Sequence, residues 1–574
     1  MIKNHFYDIV LKAVREAFSE VDTEALRIDI LKPRKPEWGD ISTNAPMIMS
    51  KVMKIPPKEA ANLLILRLNE INDSLNNSFA SKIEFAEPGF VNIFFSRKFI
   101  IKILRVILKE REGFGVCSEK KGLGYLIEYV SANPTGPLHI GHGRGAVFGD
   151  VISKILISQG YDVLREFYVN DAGAQVKNLV VSVIERMKEI EGKGEALIPD
   201  DGYKGEYVKE IAKELILREG ISYEMVDKEF DKIRDFSIGY MLTKIKKTLA
   251  DLGVKFDSFY FEKSLFDKGL VERCIQDFER ESKVFEKDGA LFLKIDSAEG
   301  DKDRVLRKSD GHYTYFASDI AYHKDKFERE GGRYKKLINV WGADHHGYIP
   351  RMRSAIRLLG YDPDSFIVVL VQMVKVLKSG KPIKMSKREG DFVTLDEIIR
   401  EVGKDATRYT FLMRKSDAQL EFDIDILKSH SLNNPVYYAQ YGYARICSIL
   451  RRASECGIKI DEIVSPEDEF DGLRLQEELD LIKKMGEYPD LLDTIAKSLE
   501  PHLLVYYIQE LQSMFHQYYT KYKKTEKVLS DDPLKMKGRL ALVLALKNVL
   551  KNAFDLMGID APERMSLKGE EDEE

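Results

Sequence analysis

The stretch YVSANPTGPLHIGHGRGAVFGD runs from Tyr129 to Asp150, directly after the apolar run GYLIE. It holds five glycines, two prolines and two histidines. A strand that feeds a glycine-rich turn and then a helix is a phosphate-binding arrangement. Backbone N–H groups at the turn and the helix N-terminus face the anion, and the missing side chains let it approach. His139 and His142 are three apart, so at a helix start they point to one side. Both rings are then placed to donate hydrogen bonds to phosphate oxygens as charge moves. A satisfied histidine pair beside a tight turn is the competing reading of the same residues.

Working outward, GYLIEYV (124–130) reads as a buried strand. Val147, Phe148, Val151, Ile152, Ile155 and Leu156 recur at helical spacing, Gly160 follows as a cap, and DVLREFYV (162–169) is the next strand. That is a βαβ unit, and it predicts a parallel sheet. KLINVWGAD (336–344) and FIVVLVQMVKV (366–376) read as later strands of the same sheet. Residues 178 to 290 are highly charged and mostly helical, and read as an insertion between the two halves of the sheet. Residues 1 to 115 mix helical periods with short strands. PRKPEWGDISTNAPMIMSKVM reads as a turn and then a helix capped near Ser42 or Thr43, and SKIEFAEPGFVNIFFS as two strands around a Pro-Gly turn. From 401 to 574 the periodicity is almost all helical, ending in an acidic KGEEDEE that reads as a disordered tail. The expected fold is a multidomain α/β protein: an N-terminal α+β domain (1–115), a parallel-sheet domain (116–400) and an all-α C-terminal domain (401–574).

The totals fit that layout. A chain of 574 residues with 44% hydrophobic and 32% charged side chains has ample length for several packed cores. No apolar run reaches the roughly 18 residues of a membrane helix, so no membrane association is expected. The first helix carries Asp8 and Glu16, unlike an acid-poor targeting peptide. Cys117, Cys274, Cys447 and Cys456 have no zinc-knuckle spacing, which predicts a reduced, cytoplasmic protein without structural zinc. The net charge of −5 neither requires nor excludes nucleic acid, because a local basic face suffices to bind phosphates.

A second string, KPIKMSKREGDFVTL (381–395), packs four cations into eight residues between glycines 380 and 390. It reads either as a solvated basic loop or as a moving loop that brings Lys384 and Lys387 onto a polyphosphate. Lysine suits that task as a compact charge on a flexible stem. In DGHYTYFASDIAYHKDK (310–326), Tyr315 and Asp319 are four apart and share a helix face. A carboxylate beside a tyrosine suits a planar guanidinium. A surface helix pair is the alternative.

The HIGH string and the KMSK string, in this order and about 245 residues apart, resemble the two signatures of class I aminoacyl-tRNA synthetases. VSANPTGPLHIGHGRG, YVNDAGAQ (168–175), YTYFASDIAYH, VWGADHHGY (340–348) and NNPVYYAQYGYARI (433–446) resemble arginyl-tRNA synthetases in particular. So do PEWGDISTNAP (36–46) and GIDAPERM (558–565), so the resemblance spans nearly the whole chain. It implies a Rossmann-like catalytic domain and a C-terminal anticodon-binding domain. It also implies L-arginine, ATP with Mg2+ as counter-ion, and tRNA(Arg) as substrates and partners, and a monomer.

Carried over residue by residue, the resemblance puts Pro134, Gly136, His139, Gly141, His142, Asp344, His345, Lys384, Met385, Ser386 and Lys387 around ATP. His139, His142, Lys384 and Lys387 are implied as catalytic. Glu128, Ser131, Asn133, His142, Tyr315, Asp319 and Asp344 are implied to line the arginine site, with Glu128 on the α-amino group. Asn44, Tyr437, Gln440, Tyr441 and Met565 are implied to touch tRNA. Tyrosines 437, 438, 441 and 443 offer surfaces for base stacking, although about half of them are expected to serve the helix core. Three rival readings are a synthetase for another amino acid, a small HIGH-containing nucleotidyltransferase, and an inactive tRNA-binding paralogue.

Overall fold

The computed structural model describes residues 2–18, 22, 26–75, 79–295, 302–383 and 393–565. The acidic tail and the KMSK residues lie outside that set.

The N-terminal part begins with α1 (Ile2–Ala17), whose Phe6, Val10 and Val14 form one buried stripe. It continues through β1 (Ile30–Leu31), β2 (Ile41–Thr43), α2 (Ala45–Met53), α3 (Pro57–Ser74), β3 (Ala80–Ala86), β4 (Phe90–Phe95) and α4 (Arg97–Glu110). The four strands pair antiparallel in the order β1-β2-β4-β3. The Pro-Gly turn joins β3 to β4 as read from sequence. Ser42 and Thr43 do not cap α2. They belong to β2, paired with Asn92 and Val91, and Asn44 takes the cap position.

The central sheet uses β5 (Gly124–Glu128), α5 (Ile140–Ser158) and β6 (Asp162–Val169), the βαβ unit expected. Next come α6 (Ala174–Ile190), α7 (Glu206–Glu219), α8 (Phe230–Asp251) and β7 (Ser258–Phe261). The three helices share a small core of their own, including Leu179, Val183, Ile211, Leu215 and Met241. The charged stretch is therefore not purely helical: β7 lies within it and pairs parallel with β6. After α9 (Lys263–Asp267) and α10 (Leu270–Arg280), β8 (Val284–Lys287), β9 (Ala290–Leu293) and β10 (Arg304–Arg307) make a separate antiparallel sheet. Then α11 (Tyr315–Gly332), β11 (Tyr334–Gly342), α12 (Ile349–Leu358) and β12 (Phe366–Val371) close a five-stranded parallel sheet, order β12-β11-β5-β6-β7. The chain grows from β5 to one side and returns on the other. The switch point therefore lies at the carboxyl end of β5, where ligands of open α/β sheets bind.

Two strands end earlier than their apolar composition suggests. The 366–376 run breaks at Gln372–Met373. β12 stays in the parallel sheet, while β13 (Val374–Lys378) joins β14 (Lys381–Pro382) and, after α13 (Leu395–Val402) and α14 (Lys404–Leu412), β15 (Leu420–Asp423). β5 stops at Glu128, because Val130 and Ser131 take left-handed backbone at φ 70° and 38°. The rest is helical: α15 (Ile424–Lys428), α16 (Pro435–Glu455), α17 (Ile460–Ile463), α18 (Gln476–Gly486), α19 (Tyr488–Ser498), α20 (His502–Tyr522) and α21 (Pro533–Met557).

α5 is buried on nearly every side, and its glycines explain how. A Cβ on Gly149 would stand 2.3 Å from the Tyr129 ring, and one on Gly143 would stand 2.5 Å from Leu395. Two internal charges fix it laterally. Arg144, fully buried, donates to the carbonyls of Gln372 (2.9 Å), Ala418 (2.8 Å) and Lys415 (2.9 Å). Asp150 accepts from Arg408 at 2.5 Å, and that guanidinium also donates to the carbonyls of Leu252 and Met557. Arg408 thus joins α5, α8, α14 and α21. Without Arg408 the buried Asp150 keeps only the half-buried Lys154, 2.9 Å from the same oxygen, and two buried carbonyls lose their donor. Arg408→Met is expected to lower stability by about 3–5 kcal/mol in urea denaturation. Lys551→Ala, which breaks the exposed Lys551–Asp555 pair, should change it by about 0–1 kcal/mol.

Candidate active site

β5 delivers Glu128 to the sheet's carboxyl edge, and the next residues turn sharply. Left-handed backbone at a β-branched valine costs on the order of 1–3 kcal/mol and persists only where surroundings hold it. Here Ser131 does so: its hydroxyl donates to Glu128 Oε1 (2.8 Å) and accepts from the Tyr168 N–H (3.2 Å). The loop then passes Asn133, whose amide donates to Gln175 (2.6 Å). Beyond Pro134 it reaches Thr135 and Gly136, beneath Tyr207 of α7. The tyrosine hydroxyl donates to the Thr135 carbonyl at 2.9 Å, and a Cβ on Gly136 would meet the Tyr207 hydroxyl oxygen at 3.0 Å.

His139 is the N-cap of α5 rather than its first helical residue. Its Nδ1 accepts from the N–H groups of Gly141 (3.1 Å) and His142 (3.4 Å), while His142 Nδ1 accepts from the His139 N–H (3.2 Å). This is a capping box built from two imidazoles, with the rings stacked 3.7 Å apart. Because both Nδ1 atoms accept, the neutral rings carry their protons on Nε2, a tautomer assigned from the partners. The two rings stand on one side of the helix start, as their spacing predicts, and the capping box supplies the reason.

The downstream flank of the KMSK string meets the same place. Thr394 forms an antiparallel bridge with His139, and the Leu395 N–H donates to the Leu138 carbonyl at 2.8 Å. Thr394 and Glu397 then cap α13 reciprocally. Lys384, Met385, Ser386 and Lys387 lie outside the described residues.

Across the switch point stands a cluster of acids. Tyr315 opens α11 and is 67% exposed. Asp319, one turn on, accepts from the Tyr348 hydroxyl at 2.5 Å. Burial pushes its carboxyl up to about 6. Glu262, immediately after β7, is buried and pushed up to about 7, first by burial and then by Asp319 and Asp171. Asn170, with its amide oriented by its partners, donates to Glu262 Oε2 at 2.7 Å. Glu262 escaped the sequence reading because a lone glutamate in FYFEKS carries no motif. Its one signal is position at the carboxyl end of a parallel strand.

The remaining expected residues fall in different settings. Asp344 and His345 occupy a 3-10 turn after β11, with side chains 81% and 59% exposed. Asn44 is engaged with Asp29 at 2.8 and 2.9 Å. On α16, Tyr437 and Tyr443 are buried, and Tyr441 stacks on Tyr437 with centroids 6.4 Å apart. Gln440 donates to Asp405 (2.8 Å) and to the Asp560 carbonyl (2.9 Å). Met565 is half-buried.

Three family descriptions match the chain in succession. These are the arginyl tRNA synthetase N-terminal domain over residues 4–95, the catalytic domain of class I (R) tRNA synthetases over 103–422, and the DALR anticodon-binding domain over 439–565. An arginine–tRNA ligase of Caldanaerobacter subterraneus is 40% identical over 98% of this chain and 99% of its own length. The chain belongs to the arginyl-tRNA synthetase family. A second relative in that family, an arginine–tRNA ligase of Syntrophotalea carbinolica, is 43% identical over 94% of this chain and 95% of its own. The arginyl-tRNA synthetase of Thermus thermophilus shares the fold, with a TM-score of 0.74 at 21% identity over 98% of this chain and 100% of that one.

The raised Glu262 carboxyl has a thermodynamic signature. Its folded value of about 7 lies above the ordinary 4.5, so between these values the folded state binds more protons and stability falls as pH rises. Glu262→Gln removes that decline. The variant should gain on the parent in urea midpoint from pH 4.5 to 7 and hold a constant difference above, as denaturation across that range would record.

Proposed function

We propose that this chain attaches L-arginine to tRNA(Arg) in two steps, with the acidic pocket taking the amino acid's guanidinium and the imidazole-capped helix taking the phosphates of ATP. The observation that carries the reading is the meeting of these two unlike surfaces at one sheet edge. Asp319 and Glu262 have raised carboxyls, on α11 and directly after β7, and the His139–His142 cap starts the helix that follows β5.

In the first step the arginine carboxylate attacks the α-phosphorus of ATP, giving arginyl-adenylate, and pyrophosphate leaves. Charge builds on the α-phosphoryl oxygens and on the leaving group. Preorganised donors therefore do most of the work: the Nε2–H of His139 and His142, the first N–H groups of α5, and Lys384 and Lys387. Pro134 and Gly136 shape the adenine-side turn, Gly141 lets the phosphates approach, and Asp344, His345, Met385 and Ser386 complete the ATP side. Glu128 takes the α-ammonium, Ser131 and Asn133 line the backbone of the amino acid, and Tyr315 lies over its side chain. In the second step the 2′-hydroxyl of the terminal adenosine attacks the activated carbonyl and AMP leaves. No covalent enzyme intermediate is required.

Among the described residues no three histidine, cysteine, aspartate or glutamate side chains converge to hold a metal. Magnesium is read, as the resemblance implies, as arriving on the phosphates of ATP. Residues 1–115 and 401–574 are read as units that hold the outer corner and the anticodon of tRNA, through Asn44, Tyr441, Gln440, Tyr437 and Met565. The active protein is read as a cytoplasmic monomer, and no described helix is long and apolar enough to cross a membrane.

Pyrophosphate exchange with each of the twenty amino acids, with and without tRNA, tests the assignment. Exchange is expected with arginine alone and, as the family resemblance implies, only when tRNA is present, and exchange with another amino acid refutes the pocket. A second expectation follows from the raised acids. A bound guanidinium favours their ionised forms, so arginine binding releases protons between about pH 6 and 7 and tightens as pH rises through that window. Titration calorimetry in two buffers of different ionisation enthalpy reads the proton count directly.

A further inference from the structure

Lys326 is a buried cation that neither the sequence signatures nor the reaction steps above use. It lies on α11, is 0% exposed, and donates from Nζ to Glu128 Oε2 (2.5 Å) and to Asn339 Oδ1 (3.3 Å). The ammonium also lies 4.2 Å from the centre of the Tyr322 ring. Asn339, on β11, donates from its own amide to the same Glu128 oxygen at 2.8 Å. Burying an ammonium costs several kcal/mol unless partners compensate, and an apolar side chain of similar volume often serves stability as well or better. A need for stability alone therefore does not account for a lysine here.

The geometry suits a different task. Glu128 Oε2 is held from beneath by Lys326 and Asn339, and Oε1 is held by Ser131 on its left-handed turn. Both carboxylate oxygens are thereby fixed before any ligand arrives, and the χ angles of a long, flexible glutamate are locked. The same helix carries Asp319 seven positions earlier, two turns and about 10.5 Å away along the axis. A second link ties the two ends together. His323 Nδ1 pairs with the Asp319 carbonyl at 2.8 Å, and its Nε2 faces the Asn339 amide at 3.4 Å. One rigid helix thus holds the guanidinium's acid at one point and the group that anchors Glu128 at another.

We propose that Lys326 is a positioning residue for amino-acid recognition: acting through Glu128, it fixes the carboxylate that takes the α-ammonium of arginine at a set distance from the carboxylates that take the guanidinium. This rests on the reading of Glu128 as the ammonium's partner. Lys326 does not touch the substrate. Its charge also reaches Asp319, but that influence is common to every guanidinium ligand, so the loss of Lys326 acts chiefly on ligands that carry an α-amino group.

The test compares arginine with desamino-arginine, which keeps the guanidinium and the carboxylate but has hydrogen in place of the amino group. Full-length Lys326→Met, Glu128→Gln and the double variant are assayed for the KM of arginine, the KM of ATP and inhibition by desamino-arginine. Lys326→Met should raise the KM of arginine about tenfold or more while the KM of ATP and the inhibition constant stay within about twofold. Equal weakening of arginine and desamino-arginine overturns the proposal in favour of general support of the pocket, and so does an unchanged KM for arginine. Should Lys326→Met fail to fold, the double variant, which removes both buried charges, is compared with Glu128→Gln. No further rise in the KM of arginine is expected, and an additional tenfold rise overturns the proposal. Glu128→Gln separates the underlying reading. If it weakens arginine and desamino-arginine alike, Glu128 is not the ammonium's partner. If it weakens arginine alone while Lys326→Met does not, Glu128 keeps its role and Lys326 loses its own.

Discussion

The buried Arg144 guanidinium, with three backbone carbonyls as its acceptors, holds the architecture of the site together. It seats the N-terminal half of α5 against the chain around Gln372, Lys415 and Ala418. The two-imidazole cap, the Thr394 bridge and the strained turn after β5 all depend on where that helix stands. Glycines at 143 and 149 allow the close approach that brings those carbonyls within reach. Without the missing Cβ atoms, Leu395 and Tyr129 would hold the helix off, and the donors at its start would miss the sheet edge.

Apart from Arg144, the inward-lying cations noted in the catalytic unit meet carboxylates. Arg408 meets Asp150, the half-buried Arg329 meets Glu166 through two hydrogen bonds, and Lys326 meets Glu128. Asp319 and Glu262 differ: among the described residues neither forms an ion pair, and both carboxyls are raised. A folded protein that leaves negative charge uncompensated in a pocket is poised for a cation from outside. The arginine reading rests on that imbalance more firmly than on any single hydrogen bond.

Local patterns in the sequence carried much of this arrangement. The bounds read for the strand DVLREFYV matched β6 residue for residue, and the strand–turn–helix around HIGH stands as read. What escaped was tertiary. The apolar run 366–376 contains no turn signal strong enough to reveal that it serves two sheets. Asn44 and Thr43 are both acceptable caps by residue type, and only the pairing of β2 with β4 decides between them. Glu262 and Lys326 look like solvated charges in a chain that is 32% charged. Their burial comes from neighbours far away along the chain, which periodicity does not register.

The three helices α6 to α8 enter and leave between adjacent strands, since β6 and β7 pair directly. They carry a hydrophobic core of their own. The seam between those strands is therefore a port for foreign sequence. Lengthening a connection there adds only about 0.6 kcal/mol of closure entropy for each doubling, and the sheet register need not notice. A replacement module must still present one hydroxyl where Tyr207 reaches Thr135, or the loop ahead of HIGH loses its ceiling. Modularity at this seam thus ends at a single phenol.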